Sequence, residues 1–241
     1  MEPKLLSIGD AAKFLGVTIQ TLRRWDASGK LPSFRPSPTS HRYYKQEDLY
    51  LFINDLRIIA KNWVINVTPG IPQNDYYCPS SDIFQARLIK MQNELGKIQN
   101  IEKIFSLIVS ITGEIGNNSF DHNLGIWPDI SGIFFGYDIN KKLVVLADRG
   151  QGILATLKRV KPELNNNEEA LKVAFTEIIS GRAPESRGNG LKFVRNVILD
   201  NPISLLFQTG EAELYLEKGK KDLDIKTTDV QFHGCIAIIN F

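Results

Sequence analysis

Cysteine is scarce in this chain. Cys78 and Cys235 stand far apart, which excludes a disulfide framework and a cysteine-rich zinc site. A dominant charge sign is also missing: 29 Lys and Arg face 27 Asp and Glu, for a formal net charge of +2, so the molecule is not a polycation. Long hydrophobic runs are absent. No segment approaches the roughly 20 apolar residues of a membrane helix, and the opening MEPKLLSIGDAAKF has no apolar stretch fit for a secretory signal. The expectation is a cytoplasmic protein with no membrane partner. There is no internal repeat and no low-complexity tract. What is present is ordinary globular material: 241 residues, 43% hydrophobic, enough for one large domain or for a medium and a small one.

The near-neutral total hides a local excess. Between Arg23 and Lys45 lie six lysines and arginines, with Asp26 as the lone acid. A basic patch on a balanced protein points to a polyanionic partner for that region. Within it, SIGDAAKFL over 7–15 reads as a short helix capped by Ser7, and TIQTLRRWDASG as a second, capped by Thr18 and ended by Gly29. Ile19, Leu22 and Trp25 form the apolar stripe of the second helix. Two short helices across a tight turn make a helix-turn-helix, whose second helix usually enters the major groove. Gln20, Thr21, Arg23 and Arg24 are the side chains it would offer to double-stranded DNA. Arg suits guanine and Gln suits adenine. KLPSFRPSPTSHRYY, with three prolines and aromatic ends, suits a hairpin wing. KQEDLYLFINDLRIIAKNW reads as one helix.

Residues 65–82, INVTPGIPQNDYYCPSSD, have no clear period and read as a domain connection. Helices follow over about 83–99 and from near Ile101, then a hairpin of GIFFGYDI and KLVVLAD, then helices in GILATLKRV, NEEALKVAFTEIIS and LKFVRNVIL. ISLLFQT, AELYLEK and VQFHGCIAIINF read as three strands.

Three clusters in this half carry chemistry. In GEIGNNSFDHN, Glu114, Asn118 and His122 recur every four residues and share one helical stripe. LADRGQGI is a buried strand ending in Asp148, then Gly150 and Gly152. SRGNGL places Gly188 and Gly190 at a helix start, with Leu191 next. Each fits a magnesium nucleotide. Asn118 offers magnesium an oxygen where phosphates and waters supply the rest of the shell. Glu114 could deprotonate the water that attacks the terminal phosphate. Asp148, costly to bury unpaired, could accept from an adenine amine. Gly150 and Gly152 leave room for a base, and the N–H groups at Gly188 and Gly190 suit phosphate. For His122 the alternatives are a phosphate edge and a structural hydrogen bond.

Two resemblances organise these residues. LGVT..TLRRW...GKLP......HRYY resembles the MerR-type winged helix, also found in excisionases. That likeness implies DNA binding by the second helix, with Arg35, Arg42 and Tyr43 or Tyr44 on the phosphate backbone, and a homodimer by analogy. E...N...H, D.G.G and G.GL together resemble the Bergerat-fold ATPases, the gyrase, histidine-kinase and heat-shock chaperone superfamily. The first of these patterns is nearest to anti-sigma-factor kinases. This likeness implies ATP and magnesium as cofactors, Asn118 on the metal, Asp148 on adenine and a mobile lid over about 154–187. Arg182 and Arg187 at the end of the lid could approach the γ-phosphate. Cys235 stands where many members carry a threonine.

The fold class expected is therefore α+β. A small winged helix-turn-helix domain over 1–62 and a linker over 63–82 precede a histidine-kinase-like ATPase domain over 83–241, a two-layer α/β sandwich. The function expected is a DNA-binding regulator switched by ATP. The alternatives are a serine protein kinase acting on a protein partner and a DNA-processing ATPase. None of the three histidines precedes the second domain on a dimerisation helix, which argues against a histidine autokinase.

Overall fold

The computed structural model describes residues 4–37, 40–177 and 190–241. No helix among them is long and apolar enough to cross a membrane. Internal contacts divide the chain into two compact units, Met1–Ile59 and Ala60–Phe241.

The first unit opens with β1 (Leu5–Ser7), a strand the sequence reading did not anticipate. It pairs antiparallel with β2 (Tyr43–Lys45), Leu6 opposite Tyr44. Helix α1 (Ile8–Leu15) starts at Ser7, whose Oγ accepts the Asp10 N–H at 3.2 Å. It stops at Gly16, whose φ of 66° lets its N–H turn back onto the carbonyls of Ala12 and Lys13. Helix α2 (Ile19–Ala27) starts at Thr18, whose Oγ1 accepts the Thr21 N–H at 3.1 Å. Both caps quench N–H groups that have no partner within the helix. Ala11, Ala12, Leu22, Leu31, Tyr44 and Leu49 form the core. Small side chains on α1 permit close approach, and Leu49 comes from α3 (Gln46–Ile53). Ile19, expected on the apolar stripe, is exposed instead.

The single helix expected from Lys45 to Trp63 is broken into α3 and α4 (Leu56–Ile65). Two side chains stabilise the break. Asn54 Nδ2 donates to the Tyr50 carbonyl at 2.9 Å, and Asp55 Oδ1 accepts the Arg57 N–H at 2.9 Å. Short polar side chains that bond nearby backbone compete with helix continuation in this way.

The second unit is a five-stranded antiparallel sheet in the order β3-β4-β5-β7-β6. Its strands are β3 (Tyr77–Cys78), β4 (Ile133–Asp138), β5 (Leu143–Asp148), β6 (Ser204–Leu216) and β7 (Asp224–Asn240). The helices are α5 (Ser81–Leu95), α6 (Phe105–Asn123), α7 (Gly152–Lys158), α8 (Asn167–Thr176) and α9 (Gly190–Asp200). Strand alternation sorts the sheet residues. Ile133, Phe135, Val144, Leu146, Leu205, Phe207, Ala237 and Ile239 join one buried cluster with Phe84, Ile111, Phe175 and Val194 of the helices. Phe134, Val145, Ala147 and Ile236, also buried, face the other way. There Tyr76 stacks on Phe134, ring centroids 5.3 Å apart.

Three expectations change here. The span 63–82, expected as a linker, is built into this unit. It carries the edge strand β3, and Tyr77 Oη donates to the Ser131 carbonyl at 2.6 Å. The strands expected in ISLLFQT and AELYLEK are one strand, β6, with register shifts at Thr209/Gly210 and Gly210/Ala212. Much of the expected lid is packed helix: Leu157, Leu164, Ala170 and Val173 form a buried cluster, and Phe175 meets Phe207 at 5.5 Å. Its remainder, with Arg182 and Arg187, lies outside the described residues, as does Gly188.

Candidate functional sites in the two units

In the first unit the capped α2 carries the surface. Leu22 is fully buried. Gln20 and Arg24, two positions before and after it, therefore point outward, at about 200° around a helix of 3.6 residues per turn. Gln20, Arg23 and Arg24 are exposed. Among the described residues neither arginine is in an ion pair. Thr18 and Thr21 are engaged with one another, their hydroxyls 2.9 Å apart.

Arg35 and Arg42, expected on a phosphate backbone, meet a partner inside the unit. Arg42 Nε donates to Asp26 Oδ2 at 2.7 Å and Arg35 Nη2 to the same oxygen at 3.4 Å. The Ser33 N–H donates to Asp26 Oδ1 at 2.7 Å. Burial would raise the Asp26 carboxyl, but the bonds from Arg42, Ser33 and Arg35 hold it down at about 2. Asp26, on α2, thus anchors the segment that leads to β2. Tyr43 is half-buried, bridging Phe34 and lying opposite Ser7. Tyr44 is the buried one and donates to the Leu22 carbonyl at 3.4 Å, which leaves Tyr43 as the more accessible of the two tyrosines.

In the second unit one face of α6 gathers the three sequence clusters. Asn118 Nδ2 donates to Glu114 Oε1 at 3.4 Å. A Cβ at Gly190, the first residue of α9, would collide with the Glu114 carboxylate and lie 3.1 Å from Asn118 Nδ2. The Glu114 carboxylate therefore stands at the start of α9, where a helix favours negative charge. Leu191 follows, partly buried against the core. One residue beyond Asn118, Ser119 Oγ donates to Asp148 Oδ2 at 2.7 Å. Asp148 continues the row of Val144 and Leu146, so alternation turns it toward α6. Its other oxygen accepts the Gly150 N–H at 2.8 Å. Asp148 is 3% exposed. Burial raises its carboxyl to about 6, against the hydrogen bonds from Ser119, Gly150 and Cys235.

The glycines are there because the chain segments touch. A Cβ on Gly150 would strike the Asn123 amide, and one on Gly152 (φ 75°) would lie 2.8 Å from Thr209 Oγ1. Gly234 (φ 72°) presses on Asp148 and Gly150 in the same way. His122 is half-buried toward the C-terminal end of α6.

Sequence reasoning missed two residues of this cluster. Asn123 Oδ1 accepts the Gln151 N–H at 2.9 Å while its Nδ2 donates to the Ser119 carbonyl at 2.8 Å. Its place four residues after Ser119 was the available signal. Thr209 lies opposite Cys235 across the β6–β7 ladder. Its Oγ1 donates to the Gly234 carbonyl at 3.0 Å and accepts the Ile153 N–H at 3.2 Å. A hydroxyl thus stands beside the thiol, contributed by a neighbouring strand, and no local pattern announces it. Burial, and then the charge of Asp148, push the Cys235 thiol well above its usual range.

Two capped helices across a left-handed glycine, with a flanking short strand and an exposed basic second helix, define a helix-turn-helix module of nucleic-acid-binding type. Residues 7–44 match the MerR family of regulatory proteins, and this N-terminal segment is a MerR-family helix-turn-helix. The chain is 43% identical over 53 residues to the transcriptional repressor DcmR of Methylorubrum extorquens, covering 22% of this chain and 20% of that protein. It is 40% identical over 57 residues to the type II methyltransferase M.Eco47II of Escherichia coli, covering 24% of this chain and 14% of that enzyme. The matched stretch spans a fifth or less of these relatives' length.

Proposed function

We propose that this protein is a cytoplasmic DNA-binding regulator whose second unit is a Bergerat-type domain for ATP and magnesium, and that nucleotide occupancy alters its DNA binding. The DNA half rests on the MerR-family segment and on the exposed Gln20, Arg23 and Arg24. Major-groove base edges match those side chains, and duplex phosphates supply the charge.

The nucleotide half is carried by one observation. Glu114, Asn118 and Gly190 form one set of contacts, Ser119, Asp148 and Gly150 a second, and the adjacent residues Asn118 and Ser119 of α6 join them into one arrangement. In it Asp148, with Ser119 and Gly150 already on its oxygens, accepts from the adenine amine. Asn118 turns its carbonyl oxygen to magnesium. The α9 N-terminus faces the phosphates, and Glu114 activates water. The Glu114 carboxylate would yield that helix end to a bound phosphate, because both are anions seeking the same donors. His122, Gly152 and Leu191 are proposed to complete the site, and Arg187 and Gly188 are proposed for the phosphates.

The test is calorimetric titration of the full chain with ATP, with and without magnesium. Wild type binds with magnesium dependence, Asn118→Ala loses that dependence, and Asp148→Asn loses the adenine preference over guanine. Wild type that takes up no ATP would sink the nucleotide reading. Duplexes selected from a random pool, bound equally with and without ATP, would remove the switch while leaving the DNA reading in place.

A further inference from the structure

Asp148 and Arg149 are neighbours in the chain and opposites in space. Asp148 belongs to the helix-facing row of β5. Arg149 continues the other row, after Val145 and Ala147, and so turns to the opposite side of the sheet. There it is 1% exposed, an unusual place for a guanidinium, which is rarely buried without partners. It has four bonds. Nε and Nη2 both donate to Asp129 Oδ2, at 2.9 and 2.6 Å. Nη1 donates to the carbonyls of Trp63 and Val64, at 2.7 and 3.1 Å. Those two carbonyls belong to the last turn of α4, where a helix has no internal donors left for them. A cation there also suits the helix dipole.

The same helix is held at a second point. Lys61 Nζ lies 5.3 Å from the centre of the Phe232 ring. Phe232 is two residues before Gly234, which abuts Asp148 and Gly150. Both grips on α4 therefore come from residues adjoining the Asp148–Gly150–Gly234 turn. The chain leaves the first unit through α4, whose residues from Ala60 onward belong to the second.

We infer that Arg149 is a positioning residue that couples nucleotide occupancy at Asp148 to the C-terminal turn of α4. The inference rests on the nucleotide reading above and names the route of its regulation. A ligand that draws Asp148 toward its amine shifts a backbone that Gly150 and Gly234 pack without slack. Arg149, on the next Cα, carries that shift to the carbonyls of Trp63 and Val64. A packed interior transmits such a displacement where a loose one would absorb it. The direction of the coupling is reciprocal: whatever fixes the end of α4 also tightens the hold on nucleotide.

The experiment is hydrogen exchange of the full chain, read by mass on peptides spanning 60–70 and, as a folding control, 105–123. ATP and magnesium are added to saturation, and ATP binding is measured separately by calorimetry. In wild type, ATP slows exchange at the end of α4 by about tenfold, within the range typical of coupled sites. In Arg149→Gln, ATP binds with a dissociation constant within about threefold of wild type, but the α4 response falls below about twofold. Asp129→Asn, a change at a partly exposed carboxylate, weakens the response to an intermediate value and carries the test if Arg149→Gln loses its folding control. Unchanged α4 exchange in a wild type that binds ATP overturns the coupling alone. Full responses in both variants overturn the role of Arg149. A wild type that binds no ATP removes the nucleotide reading and the coupling with it.

Discussion

Asp148 is a carboxylate at 3% exposure with hydrogen bonds but, among the described residues, no cationic partner, and its ionisation must tax the fold. Its carboxyl titrates at about 6 in the folded chain against an ordinary 3.8. A pKa raised on folding means that the native state holds the proton longer than the unfolded one. The stability it confers is therefore complete below 3.8, declines as pH rises above that value, and is gone once pH has passed about 6. At 1.36 kcal/mol for each tenfold, the whole loss is about 3 kcal/mol, and about 1 kcal/mol of it falls between pH 5 and pH 8. Asp148→Asn removes the titrating group and keeps an acceptor for Gly150 and a partner for Ser119. Urea unfolding of wild type and variant at both pH values isolates the effect, because every other titrating group is shared. Trp63 and Trp127 report the second unit once Trp25, in the first, is replaced by Phe. The gap between variant and wild type widens by about 1 kcal/mol from pH 5 to pH 8, in favour of the variant. A gap that stays constant would refute the buried, titrating carboxylate. On the proposed role of Asp148 as the adenine acceptor, the same protonation would weaken binding of adenosine, which carries no titrating phosphate, about tenfold at pH 5 relative to pH 7.

Asp26 has the opposite sign. Its pKa is depressed to about 2, so its contribution is present above the ordinary 3.8 and lost as pH falls through about 2. Asp26→Asn costs the first unit about 1–2 kcal/mol at pH 7, after allowance for solvent screening of a surface-edge pair, read from Trp25 fluorescence on denaturation. Arg23→Ala and Arg24→Ala each leave stability within about 0.5 kcal/mol yet weaken binding to selected duplexes. Loss of an arginine on a phosphate lowers the salt slope by about 1, and loss of one on a base edge costs about 1–3 kcal/mol at one position of the site. Salt-dependent titration separates the two. Gly116→Ala introduces a better helix former into α6, yet it destabilises by about 1–3 kcal/mol, because its Cβ would enter the Phe84 ring. Unchanged urea unfolding would show that the ring can move aside.

Local signals were legible from the chain alone. Ser7 and Thr18 cap the helices they were expected to cap, since a cap needs a hydroxyl and an N–H two or three residues on. Helical spacing from Ile104 to Ile115 marked α6, and the unbroken apolar run in KLVVLAD marked β5 as a buried strand with a carboxylate at its end. Basic charge and the turn glycine marked the helix-turn-helix. The break between α3 and α4 was written in Asn54 and Asp55 but outweighed by the apolar period around them.

Pairings between distant segments were not legible. β1 and β3 are three and two residues long, too short for a pattern, and exist because β2 and β4 offer them hydrogen bonds. Arg35 and Arg42 read as ligands for phosphate until the fold brought Asp26 to them. Thr209 is separated by 25 residues from the Gly234 carbonyl it bonds, and Arg149 by 86 from that of Trp63. What the sequence by itself determined was where most of the helices and the longer strands lie, because caps, periods and turns act within one or two turns of chain. Which charges are neutralised, which hydroxyl stands beside Cys235 and which helix end receives a buried guanidinium were decided by the tertiary structure alone. Those outcomes depend on desolvation, and a side chain is desolvated only by segments that meet when the whole unit has folded.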